Sequence, residues 1–375
     1  MVYLGPGELA GAEAPFTDKA TAGGVTLRAI PRRIALIAAL SGCVAVFANA
    51  LPGATRLEPR LAVGVQFHCT WSQTDARRTA IATSLAGAGV KTVRIDIGWQ
   101  SLEPRRHRLS RWHIRLADRC VNLARARGME VLGTLLWTPA WANGGRDQST
   151  PPRRRADFAH FSRWAARHFR GRVDAWEVWN EPNDWSFWHG SARRYVRLLR
   201  AAYPAIKAGD PNALVVFGGL MHNDDRFLAR AYAAGAHGAF DVMATHAYQG
   251  DAPPETADDG DDWWLITHVP AIHDLMARHG DGGKPIWFTE LGWSVRPNHP
   301  GLPFWQLGVT PQEQAAYLSR AAALIESRYP YVEKAFWYKD ASRPGEDELQ
   351  SGYGLLTADL TPRPAYTALK ALLAH

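Results

Sequence analysis

Two glutamates lie at the ends of apolar, tryptophan-rich stretches. Glu181 lies in W-E-V-W-N-E-P-N (176–183) and Glu290 in P-I-W-F-T-E-L-G-W (285–293). One such glutamate is usually structural or solvated, but two in similar surroundings are harder to explain that way. Paired carboxylates beside tryptophans suit glycosidic bond cleavage, in which one protonates the leaving oxygen and the other attacks or stabilises the anomeric carbon. Repulsion between the two would raise the pKa of one of them and keep it protonated.

Tryptophan is unusually frequent, with 16 residues in a chain of 375. Indoles stack on the C–H faces of sugars, which explains such a number better than core packing alone does. The positions predict a rim set after strand ends and a core set elsewhere. The predicted rim set is Trp71, Trp99, Trp137, Trp141, Trp179, Trp185, Trp188, Trp263, Trp264, Trp293, Trp305 and Trp337, and about half of it is expected to support loops rather than touch ligand. The predicted core set is Trp112, Trp164, Trp176 and Trp287.

The elements that must position these residues alternate in type. Short apolar runs predict eight strands, at 61–67, 91–97, 130–136, 173–179, 213–219, 240–245, 285–289 and 333–338. Helical patterns follow them, at 75–88, 112–127, 155–169, 191–208, 224–234, 263–279, 310–327 and 364–373. Eight βα units in order predict an α/β fold of the closed (β/α)₈ TIM barrel type, with residues 51–375 forming a single catalytic domain.

Barrels of this type carry their chemistry at the C-terminal ends of the strands. The fourth and seventh strands face each other across the mouth, so Glu181 and Glu290 are expected to meet there. The other side chains at or near the strand ends are candidates for substrate binding: His68, Trp99, Trp137, Asn180, His246, Tyr248, Trp293 and Trp337.

The chain resembles the clan A retaining glycoside hydrolases from its first predicted strand to its C-terminus. W-N-E-P and T-E-L-G-W carry most of the resemblance. V-R-I-D-I-G-W (93–99), L-L-W-T-P-A-W-A (135–142) and F-D-V-M-A-T-H-A-Y (240–248) make it nearest to family 39 and the family 5-like "cellulase family" proteins. Family 5 members usually carry a histidine at the end of the third strand, where this chain has Trp137, and this departure leans towards family 39.

The resemblance implies a role for each matching residue. Glu181 would be the acid/base and Glu290 the nucleophile of a retaining double displacement. Asn180 would bind the sugar 2-hydroxyl, and His246 would line the site. Arg94 and Tyr248 would hold the nucleophile ionised and oriented, and Trp337 would form the floor under the reacting sugar.

The first 50 residues are expected to be a signal or membrane-anchor segment. Arg32 and Arg33 precede an uncharged run from Ile34 to Ala48, and Ala48-Asn49-Ala50 forms an A-x-A cleavage site. A lipidated Cys43 is the less favoured reading. The protein is therefore predicted to be secreted or associated with the cell envelope, where Cys69 and Cys120 either pair or remain two buried thiols.

Composition and spacing argue against other function classes. With 46% hydrophobic and 21% charged residues, the chain has the composition of an ordinary globular protein. Its net charge of +7 comes mainly from arginine in an alanine-rich chain. Codon usage explains such a bias, so the charge is weak evidence for nucleic-acid binding. The spacing of His268, His273 and His279 does not suit a metal, and the acidic run 258–262 lacks a calcium-loop pattern.

No cofactor or metal is expected, the protein is expected to be a monomer, and its predicted partner is an oligo- or polysaccharide. A non-catalytic carbohydrate-binding barrel and a cell-wall transglycosylase remain alternatives. The sugar (gluco-, xylo-, manno-, arabino- or galactofurano-) and the choice between exo and endo attack stay open.

Overall fold

The computed structural model describes residues 61–260 and 262–374. The predicted cleavage site after Ala50 and the lipidation site at Cys43 lie outside these residues. The described residues belong to one compact unit. Within them, no helix combines the length and the hydropathy that crossing a bilayer requires.

Eight parallel strands form the sheet at the centre of the molecule. They are β1 (Ala62–Gln66), β2 (Thr92–Gly98), β3 (Glu130–Leu136), β4 (Ala175–Asn180), β5 (Leu214–Gly219), β6 (Met243–Ala247), β7 (Ile286–Leu291) and β8 (Val332–Trp337). Neighbours pair in the order β5-β4-β3-β2-β1-β8-β7-β6. Parallel bridges from Val216 to Val242 and from Leu220 to Thr245 join the two outer strands. This closure confirms the predicted (β/α)₈ barrel.

Eight main helices follow the strands of the described residues as the sequence predicts, and three short helices of four or five residues are additional to the prediction. They are α1 (Asp75–Gly87), α2 (Trp99–Leu102), α3 (Arg111–Arg125), α4 (Ala140–Asn143), α5 (Arg155–His168), α6 (Ala192–Gly209), α7 (Asp225–Ala233), α8 (Val269–Arg278), α9 (Pro311–Arg328), α10 (Glu348–Gly352) and α11 (Pro364–Leu373). Side-chain caps fix several starts; Thr310 and Glu313, for example, form a reciprocal capping box at α9.

The sixth main helix begins later than the sequence predicts. A helix over 263–279 is expected, but a 3₁₀ turn (Ile266–His268) precedes α8, which begins at Val269 with a proline in its first turn. Proline is favoured in the first turn because its missing N–H would have no partner there. The segment that carries Trp263 and Trp264 is therefore loop on the catalytic side of the barrel.

The barrel interior changes from apolar to polar along the strands. An apolar cluster that includes Leu132 of β3, Ala175 of β4 and Trp287 of β7 fills the lower interior. Side chains two residues apart share a face of a strand. The next inward positions on these strands are Thr134, Glu177 and Thr289, all completely buried. A polar layer thus lies directly beneath the strand ends.

A disulfide links the end of β1 to α3. Cys69 and Cys120 pair with a Cα–Cα distance of 5.6 Å. The structure therefore selects the disulfide over two buried thiols. The bridge ties the start of the first βα loop to the second main helix.

Candidate active site

Glu181 directly follows β4 and points into the barrel mouth. Its backbone N–H donates to the carbonyl of Gly219 on β5 at 2.9 Å, which anchors the turn that begins here. The side chain is buried, and its Oε1 lies 2.7 Å from Nδ1 of His246 on β6.

Glu290 lies within β7 and is held from two sides. Nη1 of Arg94 donates to Oε1 at 2.7 Å, and the hydroxyl of Tyr248 donates to Oε2 at 2.5 Å. The sequence-based expectation that Arg94 and Tyr248 orient this carboxylate agrees with these contacts.

The two glutamates approach each other closely. Carboxylate oxygens of Glu181 and Glu290 and a ring nitrogen of His246 lie within 4.8 Å of one another. Nδ1 of His246 is also 3.9 Å from Oε2 of Glu290, so the imidazole faces both carboxylates. Residues 109 positions apart in sequence are thus brought together by facing strands, as expected from the barrel.

The environment gives the two carboxyl groups different pKa values. Burial raises the pKa of Glu181 to about 7, although the hydrogen bond from His246 opposes that effect. Burial also acts to raise the pKa of Glu290, but His246 and Arg94 outweigh it. The net result is a Glu290 pKa below its ordinary value. Between these two pKa values Glu181 is protonated and Glu290 is ionised.

Arg94 lies at the centre of a buried network that the sequence reasoning missed. Besides Glu290, it binds Glu177 through Nε at 2.7 Å, Asn180 through Nη2 at 2.7 Å and Gln66 through Nη1 at 3.0 Å. Its pKa is raised by the surrounding carboxylates against the opposing effect of burial. A glutamate inside an otherwise apolar strand, as at Glu177, was the available signal because a buried charge requires a partner.

Asn180 and His68 are both brought to the mouth as predicted. Asn180 uses Oδ1 to accept from Arg94, which leaves its amide N–H₂ facing away from that contact. His68 follows β1, and both its backbone N–H and its Nδ1 contact the carboxylate of Asp340 at 3.1 and 3.2 Å. Asp340 lies beyond β8 and was not predicted. It fixes the orientation of His68 in the mouth.

Two predicted substrate-binding tryptophans belong to the core instead. Trp99 is completely buried and donates its indole N–H to Glu103 at 2.8 Å. Trp293 is also buried and donates to the carbonyl of Ala252 at 2.9 Å. Their positions after strand ends suggested the cleft, but their rings turn back against the helices and loops outside the barrel.

Trp337 and Trp137 remain at the mouth. Trp337 ends β8, is almost completely buried, and its Nε1 has no hydrogen-bond partner within residues 61–260 and 262–374. Trp137 is half-buried and stacks on Phe187 with ring centroids 5.5 Å apart.

The remaining tryptophans divide differently from the prediction. Trp179 and Trp188 of the predicted rim set are buried, whereas Trp185 is 72% exposed and Trp305 41% exposed. Trp112 of the predicted core set is 60% exposed, so that prediction is wrong. It lies in the first turn of α3, where its ring contacts only the edge of His113 among the aromatic residues described.

Three non-glycine residues at the ends of β3 and β4 have a left-handed backbone. They are Trp137 (φ 70°), Trp179 (φ 78°) and Glu181 (φ 42°). Such conformations cost about 1–3 kcal/mol each and persist only where surrounding structure enforces them. Two of the three flank Asn180, so the strain lies at the residues that aim Asn180 and Glu181 into the mouth.

Two groups of side chains within the described residues come close enough to share a cation. One is Glu181, His246 and Glu290, where the guanidinium of Arg94 already supplies a positive charge to the carboxylates. The other is Asp258, Asp259 and Asp262, in the loop after β6, where Asp258 also pairs with His268 at 2.7 Å. His273 and His279 instead stack on Tyr331 and Tyr232. The three histidines therefore do not form one site.

Comparison with known proteins gives a family match. The model of the family described as Cellulase (glycosyl hydrolase family 5) matches residues 60–321.

Solved structures with the same fold cover 84% of this chain. A family 39 glycoside hydrolase from Bacteroides cellulosilyticus is 22% identical with a TM-score of 0.67. A GH5_18 protein from Streptomyces cattleya, in complex with GlcNAc, is 18% identical with a TM-score of 0.65. A monomeric beta-xylosidase from Caulobacter crescentus is 19% identical with a TM-score of 0.62. The match spans 64%, 80% and 67% of these three chains, respectively.

Proposed function

Because this chain belongs to glycosyl hydrolase family 5, the cellulase family of glycoside hydrolases, we propose that it is a retaining β-glycosidase. The observation that carries the proposal is the approach of the Glu181 and Glu290 carboxylate oxygens to within 4.8 Å. Retaining enzymes hold their carboxyl groups about 5–5.5 Å apart, whereas inverting enzymes need about 6.5–9.5 Å to admit a water molecule.

The contacts of each carboxylate support its role. Glu290, held ionised between Arg94 and Tyr248, is the nucleophile. Glu181, whose pKa burial raises to about 7, is the acid/base. The same pair would serve badly in the opposite roles, since a carboxylate that is bound by a guanidinium and a hydroxyl holds a proton weakly.

The reaction proceeds in two displacements. A carboxylate oxygen of Glu290 attacks the anomeric carbon, the glycosidic C–O bond breaks, and the proton of Glu181 passes to the leaving oxygen. Glu181, now ionised, then removes a proton from a water molecule, whose oxygen attacks the anomeric carbon and releases Glu290. Two inversions leave the configuration of the sugar unchanged.

Asn180 and Trp337 complete the site for the reacting sugar. The amide N–H₂ of Asn180, left over from its contact with Arg94, is suited to the sugar 2-hydroxyl. Such a hydrogen bond strengthens as charge develops in the transition state. Trp337, almost completely buried at the end of β8, would form the floor beneath the reacting sugar rather than an open stacking face.

The substrate class that we propose is an extracellular or cell-envelope polysaccharide. Exposed aromatic rings outside the catalytic pair, at Trp185, Phe304 and Trp305, offer platforms for further sugar units. The disulfide between Cys69 and Cys120 is the kind of bond that persists in oxidising compartments, and together with the N-terminal sequence it supports export.

Among the structural relatives, one is named a beta-xylosidase, and another binds Manb1-4GlcNAc. Gluco-, xylo- and manno-configured substrates therefore head the list to be screened.

The test is hydrolysis of a panel of aryl β-glycosides and polysaccharides, with the anomer that forms first read by proton NMR. We expect a product of retained configuration; an inverted product would refute the double displacement. Transfer of the glycosyl group to a sugar acceptor in preference to water would instead identify a transglycosylase.

The variants Glu181→Gln and Glu290→Gln should each lower kcat by several orders of magnitude without unfolding the protein. Glu130→Gln is the matched control, because Glu130 is an exposed carboxylate at the opposite end of β3. If Glu181→Gln and Glu290→Gln kept the full activity expected of the Glu130→Gln control, neither glutamate would take part in the mechanism.

A further inference from the structure

His246 is completely buried and presents its two ring nitrogens to different partners. Nδ1 lies 2.7 Å from Oε1 of Glu181, and Nε2 lies 3.1 Å from Oγ1 of Thr289. A neutral imidazole carries its proton on only one nitrogen, and the hydrogen bond at the other nitrogen decides which one. Which ring nitrogen of His246 carries the proton, and therefore how the ring meets Glu181, depends on whether the Thr289 hydroxyl donates to Nε2 or accepts from it.

Glu177 decides which way the Thr289 hydroxyl points. Its Oε1 lies 2.8 Å from Oγ1 of Thr289 and accepts from the backbone N–H of Gly219. Its Oε2 accepts from Nε of Arg94 and from the hydroxyl of Thr134, both at 2.7 Å. The guanidinium of Arg94 and the backbone N–H of Gly219 can only donate, and Arg94 forms an ion pair with this carboxylate, so Glu177 is an acceptor and has no proton to donate. Thr289 must donate its single proton to Glu177, which leaves only a lone pair for Nε2 of His246.

No other acceptor reaches Nε2 among the residues that the structure describes. The bare Cα of Gly219 packs against this contact: an added Cβ would lie 2.2 Å from Nε2 and 2.6 Å from Oγ1 of Thr289. If Nε2 carried no proton, its lone pair would face that of Thr289 in a fully buried place. An N–H on Nε2 instead makes a hydrogen bond, and burial makes the difference large.

We propose that Thr289, held by Glu177, is a positioning residue that keeps a ring proton of His246 on Nε2. Nδ1 is then the nitrogen that gains and loses a proton, and it does so facing Glu181. As an imidazolium, His246 donates Nδ1–H to Oε1 of Glu181 and stabilises the carboxylate that remains after the acid step. This catalytic consequence rests on the proposed function, whereas the position of the ring proton does not.

The charged and titratable groups around His246 come from five strands and their ends. They are Arg94 of β2, Glu177 of β4, Glu181 after β4, His222 after β5, Tyr248 after β6 and Glu290 of β7. Burial and Arg94 act to lower the pKa of His246. The carboxylates of Glu290 and Glu181 raise it by more, so the net pKa lies above its ordinary value. Both of these carboxylates contact the ring at Nδ1. Of the residues that the structure describes, Thr289 alone contacts Nε2.

The experiment is ¹⁵N NMR of the full-length protein labelled at its histidines, of which there are 14. The His246 signals are assigned by their loss in His246→Asn, and the tautomer and pKa are read from a pH titration. In the wild type we expect Nε2 to stay protonated throughout and Nδ1 to titrate. Thr289→Val removes the acceptor, so the neutral ring should move its proton to Nδ1 and the imidazolium pKa should fall by about one unit.

Two matched variants separate this role from general packing. Thr289→Ser keeps the hydroxyl and should behave like the wild type. Thr134→Val removes an equally buried hydroxyl from the same Glu177 without touching His246, and should leave the tautomer unchanged. A wild-type proton on Nδ1, or a tautomer that Thr289→Val does not move, would overturn the proposal. The wild-type and Thr289→Ser spectra decide the matter even if the valine variant does not fold. An expected NMR result without any glycoside hydrolysis would refute the proposed function alone.

Discussion

Arg94 shows at the scale of single residues how the site keeps two carboxylates different. The guanidinium contacts Glu290 and Glu177 at 2.7 Å each but does not contact Glu181. Glu181 instead faces His246, whose charge can change with pH. A permanent cation on one carboxylate and a titratable ring on the other are sufficient to give the two carboxylates opposite protonation states.

The pH dependence of kcat/KM follows from these two environments. The active form has Glu290 ionised and Glu181 protonated. Activity should therefore rise with pH through a value below the ordinary glutamate pKa and fall as pH passes about 7. The measurement is kcat/KM for an aryl β-glycoside across pH 3–9, a range of roughly this width being needed to see both limbs. A profile that keeps rising above pH 8, about one unit past the Glu181 pKa, would contradict the assignment of Glu181 as the acid.

Sequence reasoning reached the residues that end strands but not those that support them. Glu181, Glu290, Arg94 and Tyr248 were predicted from motifs, and all four meet in the mouth. Thr134 and Thr289, which contact Glu177 and His246, were missed because single threonines in a strand carry no signal of their own. Their roles depend on which strands become neighbours across the barrel, and only the closed sheet settles that.

At the scale of elements, the site depends on strand ends and on the short connections that follow them. The layer of inward side chains changes from apolar to polar two or three residues before the strands end. The period of two along a strand then brings Glu177 and Thr289 beneath the mouth without any loop contribution. The carboxylates above are thus positioned by the rigid part of the barrel.

Gly219 of β5 is predicted to be essential for this layer. A Cβ there would clash with Nε2 of His246 at 2.2 Å. Gly219→Ala should therefore displace the imidazole and lower kcat by about 10²-fold, as small misplacements of catalytic groups do. Gly283→Ala is the control, since a Cβ at that position meets nothing within 4 Å. Unchanged kcat in Gly219→Ala would show that the position of His246 has no bearing on the reaction.

The disulfide is predicted to contribute to stability more than to catalysis. It closes a chain segment with a sequence separation of 51 residues. The loop-entropy model gives about 4 kcal/mol for a loop of that length. Denaturant unfolding of a Cys69→Ser/Cys120→Ser double variant should show a loss of this order, with kcat/KM of the folded protein little changed. The wild type under reducing conditions should unfold like the variant, and equal stability of oxidised and reduced protein would contradict the prediction.

Most elements were predictable to within two or three residues because each strand is a buried apolar run. The exceptions have local causes. The helix predicted over 263–279 wrongly included Trp263, Trp264 and the 3₁₀ turn that precedes α8. Aromatic residues fit a helical pattern as well as they fit a loop, so the sequence pattern did not separate them. The pairing of Cys69 with Cys120 depends on the packing of α3 beside α1 and the loop that follows β1, which no spacing in the sequence expresses.

At the scale of the whole molecule, the barrel divides its tryptophans between structure and surface. Trp99, Trp179, Trp188 and Trp293 pack in the core, and several of their N–H groups are satisfied by backbone carbonyls or by Glu103. Trp185 and Trp305 extend into solvent. The count of tryptophans indicated a carbohydrate cleft, but much of it reflects a core that uses large rings to fill the space behind the mouth.

Trp185, after β4, is predicted to bind a sugar unit of a polymer away from the bond that is cleaved. Trp185→Ala should raise KM for a polysaccharide by about two- to tenfold, the value of one aromatic stacking contact. It should leave kcat/KM for a small aryl glycoside unchanged. Trp112→Ala, which removes a similarly exposed indole from α3, serves as the control. Equal effects of Trp185→Ala on both substrates would argue for a pocket that accepts only short glycosides.

The left-handed backbone at Trp137, Trp179 and Glu181 has an evolutionary consequence. Unfavourable dihedral energy concentrated beside the reacting bond means that heat tolerance and turnover make opposing demands on the same residues. Lineages under thermal selection would gain most easily by relaxing this rim and would lose rate in doing so. The opposite end of the barrel is then the region where stability can be improved without that conflict.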